Sequence, residues 1–401
     1  LTDTKKLRAN PPKALNELAS RLEAAGHATW WVGESLHDAL CKLPTRSYAL
    51  ATDASSPQIV AELPRAVPVR PDATAFIVPS ALGPIDLAPL RVGPGIESDL
   101  AHRGFTILAL AWRFADSSLV DPHGGARDLG EGRLRCVGDP ETSLLEAPTR
   151  VLQAARLVAQ RGYTADPTLR PAMTAAWRES GADIAAADLR REFDALLMSP
   201  RPGAGIRLLQ KSGIDRLLGF RSKKDAARLL DAAPRESALR WAIWLRGGGG
   251  KRCLYRVRLD YTRTRKVRRL LDHHPLEEAA STRRRSSVRR LAARLQPGER
   301  AHLLALREAE LAEYPEPEAR EIRRALDRIQ KALEREERAH RDGEEEIALN
   351  VDGHTVAGAL GIEPGPELGR ALAFLRTRIS ERPELNTRAN LLELLRDWQN
   401  A

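Results

Sequence analysis

The character of the chain changes once, near residue 140, and that change bounds the fold. Before it, short β-type runs at 29–32, 48–52, 75–78 and 85–88 alternate with Gly, Pro and Ser punctuation. Ahead of them, Pro11-Pro12 opens a helix with Leu15, Leu18 and Leu22 on one face, and Gly26 ends it. From Glu141 onward apolar residues recur at helical spacing almost everywhere: Leu144, Leu145, Val151, Leu152, Ala155, Leu157 and Val158 describe one long stripe. Further helices are expected over 186–199, 203–211, 223–232 and 299–313, then a charged helix over 315–342 with Glu318, Glu321 and Arg324 three apart. Gly247 to Gly250 reads as a flexible break, and the stretch from Gly361 to Pro366 as a turn before two more helical runs. A mixed α/β unit followed by helices is an α+β architecture.

At 401 residues the chain is long enough for two to four structural units. No window of about 18 apolar residues predicts a membrane span. The opening LTDTKKLRANPPK has no apolar core for a secretory leader. Cys41, Cys136 and Cys253 lie far apart without CxxC spacing, which argues against structural zinc and a disulfide framework. A soluble, cytoplasmic, reducing setting is the expectation. The net charge of +10 has one address: the segment 251–295 holds fifteen Lys/Arg against four Asp/Glu, leaving the remainder at −1. Such density reads either as a solvated Arg-rich face or as a surface for polyanions, nucleic acid foremost.

The stretch VGESLHDALCKLPTRSYALATDASSP, from Val32 to Pro57, is the most specific. A turn at Gly33 follows a strand, a short helix follows the turn, and a second strand ends at Ala51-Thr52. This resembles the head of the bacterial class II tRNA nucleotidyltransferases (CCA-adding enzymes) and poly(A) polymerases, with its VGGxVRDxLLGxPxxDxDxAT pattern. The resemblance continues in order along nearly the whole chain: IDLAPLR at 85–91, DLAHRGFTILALA at 99–111, DPHGGARDLGEGRLRCV at 121–137, EAPTRVLQAAR at 146–156, then Leu259 to His274 and Gly361 to Glu393. It implies a polymerase-β-like mixed-sheet head over 1–137, a helical neck over 138–200, a helical body over 201–346 that carries the basic segment, and a helical tail over 347–401.

The chemistry of that family needs two Mg²⁺ ions about 3.5–4 Å apart to activate a hydroxyl and hold pyrophosphate. Hard Mg²⁺ wants carboxylate oxygens, and two acids at i and i+2 of a strand share a face, hence D-x-D. Here the D-x-D positions are Ser47 and Ala49, leaving Asp86 as the surviving acid. The second glycine is Glu34, the R-D pair is His37-Asp38, RRD is His102-Arg103-Gly104, Asn is Leu108, and the base-reading Asp is Ala147, with Gln153 for the following Arg. Nucleotide-binding-like positions that survive are Gly33, Asp38, Arg103, Arg150 and Arg156. The resemblance and these losses together imply a catalytically inactive member that binds tRNA-like RNA through Arg256, Arg258, Arg263, Arg265, Lys266, Arg268, Arg269, Arg284 and Arg289, with no cofactor. Two alternatives stay open. One is an active CCA- or A-adding enzyme whose Mg²⁺ site is rebuilt from Asp86 with Asp53, Asp38 or Glu34. The other is a regulatory partner of an active paralogue; a homodimer is also conceivable.

Smaller expectations attach to single residues. Asp53 reads as part of a helix N-cap region near Ser56 and Pro57, and Asp38 as a partner of backbone or of an Arg. His123 reads as a packed ring, and His273-His274 carries no metal-site spacing. Trp30 and Trp31 fall on opposite faces of a strand, and Cys41 reads as a small buried hydrophobe. In the basic segment Leu254, Val257, Tyr261, Val267, Leu270 and Leu271 are expected to face a helical core.

Overall fold

Two adjacent tryptophans on one strand root the two faces of the head. A computed structural model describes residues 7–399 apart from 46, 70–73, 92, 94, 280–284 and 342–348. Strands β1 (Thr29–Val32), β2 (Tyr48–Thr52), β3 (Val67–Pro68), β4 (Phe76–Ser80), β5 (Gly83–Pro89), β6 (Ala111–Arg113) and β7 (Ser118–Val120) form one sheet in the order β3-β4-β5-β2-β1-β6-β7. All neighbours are antiparallel except β2 and β5, which run parallel with Ala49 opposite Asp86. Because side chains alternate along a strand, Trp31 joins Leu50, Phe76, Ile85 and Leu87 on one face, while Trp30 joins Val32, Ala51 and Ala111 on the other. Helices α1 (Lys13–Ala24), α2 (Gly33–Leu40) and α3 (Ser56–Glu62) send Leu15, Leu22, Leu36 and Ile59 into the Trp31 cluster. Helix α4 (Ile96–Ala101) sends Ile96 and Leu100 into the Trp30 cluster.

The four β runs read from sequence are present, and β3, β6 and β7 join them. Those three are two or three residues long, too short to display a period of two. Helix α5 (Gly125–Glu131) follows Gly124, which adopts φ +73°. A Cβ on Gly125 would lie 2.0 Å from the Thr106 carbonyl oxygen, so glycine is needed for the close approach.

The helical part begins with α6 (Pro140–Glu146) and α7 (Thr149–Arg161), followed by α8 (Leu169–Ser180), α9 (Ala186–Leu197) and α10 (Pro202–Lys211). The stripe from Leu144 to Val158 is therefore two helices rather than one. Pro148 forbids helical backbone at Ala147, which sits at φ −145°, ψ 88°. Helix α7 buries Val151, Leu152, Ala154, Ala155, Leu157 and Val158 against α9 and α10. Residues 1–222 with 252–258 form one compact unit, and residues 223–251 with 259–401 a second.

In the second unit, the helices Ser237–Leu245, Tyr261–Asp272 and Pro297–Glu310 surround a buried ionic knot. Glu310 accepts from Arg246 at 2.6 Å, Arg307 at 3.1 Å and His274 at 2.9 Å. Burial opposes its charge, but these donors hold its carboxyl down at about 2. The tail helices Gly353–Leu360, Pro366–Glu381 and Arg388–Gln399 share a cluster of their own around Val356, Leu375, Ile379 and Leu391. The glycine run at 247–250 ends inside structure, since Gly250 is the first residue of the helix Gly250–Val257. No described helix is long and apolar enough to cross a membrane.

The α7–α10 crossing generates a prediction. A Cβ on Gly205 would lie 2.4 Å from the Ala155 carbonyl oxygen, whereas one on Gly358 meets nothing within 4 Å. Gly205→Ala should destabilise the fold by about 1–3 kcal/mol in chemical denaturation, while Gly358→Ala, in an open helical position, should be neutral or stabilising. Equal effects would contradict the crossing as described.

Candidate functional site

Gly33 ends β1 at φ +75° and starts α2, and its missing Cβ leaves only 3.6 Å to the Arg103 guanidinium. Helix α2 then presents Glu34, His37, Asp38 and Cys41 at spacings of three and four, one face of a helix. That face meets α7. Glu34 accepts two hydrogen bonds from the Arg156 guanidinium, one at 3.0 Å, and a third from Gln153 Nε2 at 3.2 Å. Arg156 also donates through Nε to Glu192 of α9 at 2.8 Å and through Nη1 to Gln160 at 2.9 Å. Burial works against both charges of the Glu34–Arg156 pair. The mutual hydrogen bonds and Coulomb attraction win, holding Glu34 below its usual 4.5 and pushing Arg156 upward.

One turn on, Asp38 pairs with Arg161 and accepts from His37 Nδ1 at 3.0 Å. The reading of Asp38 as an arginine partner holds. Arg103 is tied to Asp99 through Nε at 3.1 Å and Nη2 at 2.8 Å. Arg150 donates to the Ser143 and His102 carbonyls, each at 2.6 Å, and to Glu146 at 3.3 Å. It lies over Gly104, where a Cβ would come within 2.8 Å of its Cδ. The glycine that stands for the family's aspartate thus removes an acid and leaves the room that Arg150 fills.

The positions to which the resemblance assigns metal ligands lie on and just before β2 and on β5, beside α2, where Ala49 N–H donates to Ser35 Oγ at 3.3 Å. Ser47 is exposed just before β2, Ala49 stands opposite Asp86, and Asp86 is exposed on β5 with its carboxyl raised above the usual range by desolvation. A raised carboxyl with Ala and Ser as neighbours along the pattern is a poor donor set for Mg²⁺. The acids that could supplement Asp86 are engaged elsewhere: Glu34 with Arg156, Asp38 with Arg161, Asp53 with His27 at 3.8 Å. Asp53 does not serve as a cap, because Ser55 and Gln58 form the capping box of α3. No group of three His, Cys, Asp or Glu side chains suited to a metal occurs among the described residues.

Of the nine basic candidates, Arg258, Arg265, Lys266 and Arg268 are exposed. Three others are turned to protein partners: Arg256 to the Gly181 carbonyl and the Trp177 ring, Arg263 to Asp260, and Arg269 to Glu299 at 2.6 Å. Arg284 and the side chain of Arg289 lie outside the described residues. Tyr261 is 78% exposed, correcting its assignment to the core, while Val257, Val267 and Leu270 are buried as expected. One basic feature was missed. Arg170, Arg207 and Lys211 line an open cleft of about 500 Å³ between α8 and α10. Its sequence signal was the spacing of four between Arg207 and Lys211 within an amphipathic helix. Cys41, expected to be buried, is partly exposed and faces His37 and Tyr163.

The Glu34–Arg156 pair has a pH signature. Because the folded pKa of Glu34 is lowered, its contribution is full above the ordinary value of 4.5 and is lost as pH falls through the folded pKa. Glu34→Gln should melt at a lower temperature than the parent at pH 7, and the gap should close as the pH falls below the ordinary carboxylate value of 4.5. A gap that persists at low pH would assign the effect to packing.

No family model matches the chain. The CC-adding tRNA nucleotidyltransferase of Shouchella clausii is 33% identical over 148 residues, covering 37% of this chain and 39% of that relative. The matches span 31–52% of the length of the first three curated relatives. Among solved structures, the Bacillus stearothermophilus CCA-adding enzyme in complex with CTP superposes with a TM-score of 0.66 at 21% identity, covering 98% of both chains. The Thermotoga maritima CCA-adding enzyme complexed with tRNA gives 0.64 at 18%, covering 99% of this chain and 98% of that one. The chain has the fold of the solved bacterial CCA-adding enzymes along its length, and over about a third of it is similar in sequence to bacterial tRNA nucleotidyltransferases.

Proposed function

We propose that this chain is a non-catalytic relative that binds tRNA-like RNA. The observation that carries the reading is the Glu34 carboxylate on Arg156: an acid occupies the turn where the family's glycine admits a triphosphate, and it engages the arginine of the neck. A nucleotide's phosphates would have to displace a partly buried ion pair and face the same negative charge. The missing D-x-D acids at Ser47 and Ala49 point the same way, because one carboxylate attracts divalent ions far less than three. The reading with a rearranged metal site needs Glu34 or Asp38 to leave the arginine each already holds, or Asp53 to leave the side of His27.

Binding, unlike transfer, needs only cations spaced to follow a phosphate backbone. Arg258, Arg265, Lys266 and Arg268 supply exposed charge, and Arg170, Arg207 and Lys211 line a cleft wide enough for a phosphate. Arginine predominates in the basic segment, thirteen to two over lysine, and offers bidentate contact to phosphate oxygens.

The test is tRNA binding by fluorescence anisotropy across a salt series without added Mg²⁺. The expected result is an affinity that falls log-linearly with salt. The triple variant Arg265→Glu, Lys266→Glu and Arg268→Glu should weaken it by about tenfold or more and flatten the slope by about one per lost contact. Salt-insensitive binding, or a triple variant that behaves like the parent, would sink the RNA role. Co-purification with an active paralogue in the absence of RNA would favour the regulatory alternative instead.

A further inference from the structure

The last turn of α2 and the end of α7 bring Cys41 and Tyr163, which the RNA reading does not use, against His37 and Asp38. Cys41 is the C-cap residue of α2 and is partly exposed. Its Sγ lies 3.9 Å from His37 Nε2 and 4.0 Å from the Tyr163 hydroxyl, both within reach of a hydrogen bond to sulfur. His37 is buried to 1% exposure, and its Nδ1 is held at 3.0 Å by Asp38, which is itself paired with Arg161. Tyr163 Oη hydrogen-bonds His37 Nε2 and meets the imidazole edge-on at 5.8 Å.

The donor and acceptor count favours one protonation state. With His37 as imidazolium, Nδ1–H donates to the Asp38 carboxylate and Nε2–H points to the side where Tyr163 Oη and Cys41 Sγ sit. The Tyr163 O–H is then left to donate, and the sulfur within its reach accepts best as a thiolate. The groups facing the sulfur are His37 and Asp38 from α2, with Arg161 and Tyr163 at the end of α7. Burial alone would raise the thiol, but the hydrogen bond and charge of His37, with Tyr163 and Arg161, hold it below its ordinary value of 9. His37 is moved the other way, upward, with burial opposing and Asp38 and Cys41 favouring its charge. The remaining cysteines provide an internal contrast. Cys136 and Cys253 are buried and pushed up to about 11 and about 12, largely by desolvation.

We propose that Cys41 is a reactive thiolate, a modification site for small hydroperoxides, activated by His37 and Tyr163. The thiolate sulfur attacks one peroxide oxygen, an S–O bond forms and the O–O bond breaks. Two electrons pass from sulfur to the peroxide, and the departing hydroxide or alkoxide takes the Nε2 proton of His37. The products are a Cys41 sulfenic acid, water or an alcohol, and neutral His37. The inference is independent of the RNA reading, since it rests on α2 and the end of α7 alone.

The test uses the full chain, native, with iodoacetamide as probe and peptide mapping of all three cysteines from pH 5.5 to 9. Cys41 should alkylate at least about tenfold faster than Cys136 and Cys253, with a midpoint below that of a free thiol. His37→Gln should raise the midpoint and slow alkylation at pH 7 by about threefold or more. The midpoint is the firmer readout, because intrinsic nucleophilicity falls with pKa. Where His37→Gln fails to fold, Tyr163→Phe gives the reading and should also raise the midpoint. Stoichiometric hydrogen peroxide followed by a sulfenate-trapping diketone should label Cys41. A free-thiol profile in the parent, a midpoint unmoved in the folded variant, or peroxide oxidation of Met173 and Met198 with Cys41 untouched would overturn the proposal.

Discussion

A guanidinium at 7% exposure is tolerable only where acceptors surround it, and the environment of Arg156 organises the region where the sheet domain meets its first long helices. Glu34 from α2, Glu192 from α9, and Gln160 from its own helix supply those acceptors. Three elements distant in sequence are thereby held in register by one side chain. Removing Glu34 would leave Arg156 buried with Glu192 and Gln160 alone, so the acid in the turn has a structural consequence of its own.

In the proposed reading the same pair separates nucleotidyl transfer from RNA binding. Transfer of a nucleotidyl group depends on geometry at a few tenths of an ångström and on carboxylates around metal ions. Holding an RNA backbone depends on charge density and tolerates rearrangement. In the proposed reading the first requirement is unmet and the second is met. Ser47, Ala49, Glu34, Gly104 and Ala147 stand where the resemblance has reactive or close-approach residues, while Gly125 approaches Thr106 closely and α7 buries its apolar face. Arg150 shows how such a site can settle, since it now spans from His102 to Ser143 over a residue that has no side chain.

Much of this was legible in the sequence. Trp30 and Trp31 gave away the two-faced strand, and Gly33 the turn, because period and φ preference are local properties. The order and spacing of motifs carried the topology of the head. The α6–α7 break was legible too, in Pro148, but the apolar stripe across it masked the signal. What could not be read was pairing. Nothing local ties Glu34 to Arg156, or Cys41 to Tyr163, since those partners lie 122 residues apart. The engagement of Arg256 by Gly181 and Trp177 and of Arg269 by Glu299 is likewise a property of what each packs against.

In the proposed reading the chain keeps the fold and has given up the reaction. Incubation of the full chain with tRNA lacking its 3′ terminus, labelled ATP or CTP, and Mg²⁺ or Mn²⁺ tests it most directly. No incorporation above a protein-free control is expected under conditions in which the tRNA is bound. Metal-dependent extension of the 3′ end that Asp86→Ala abolishes would contradict it.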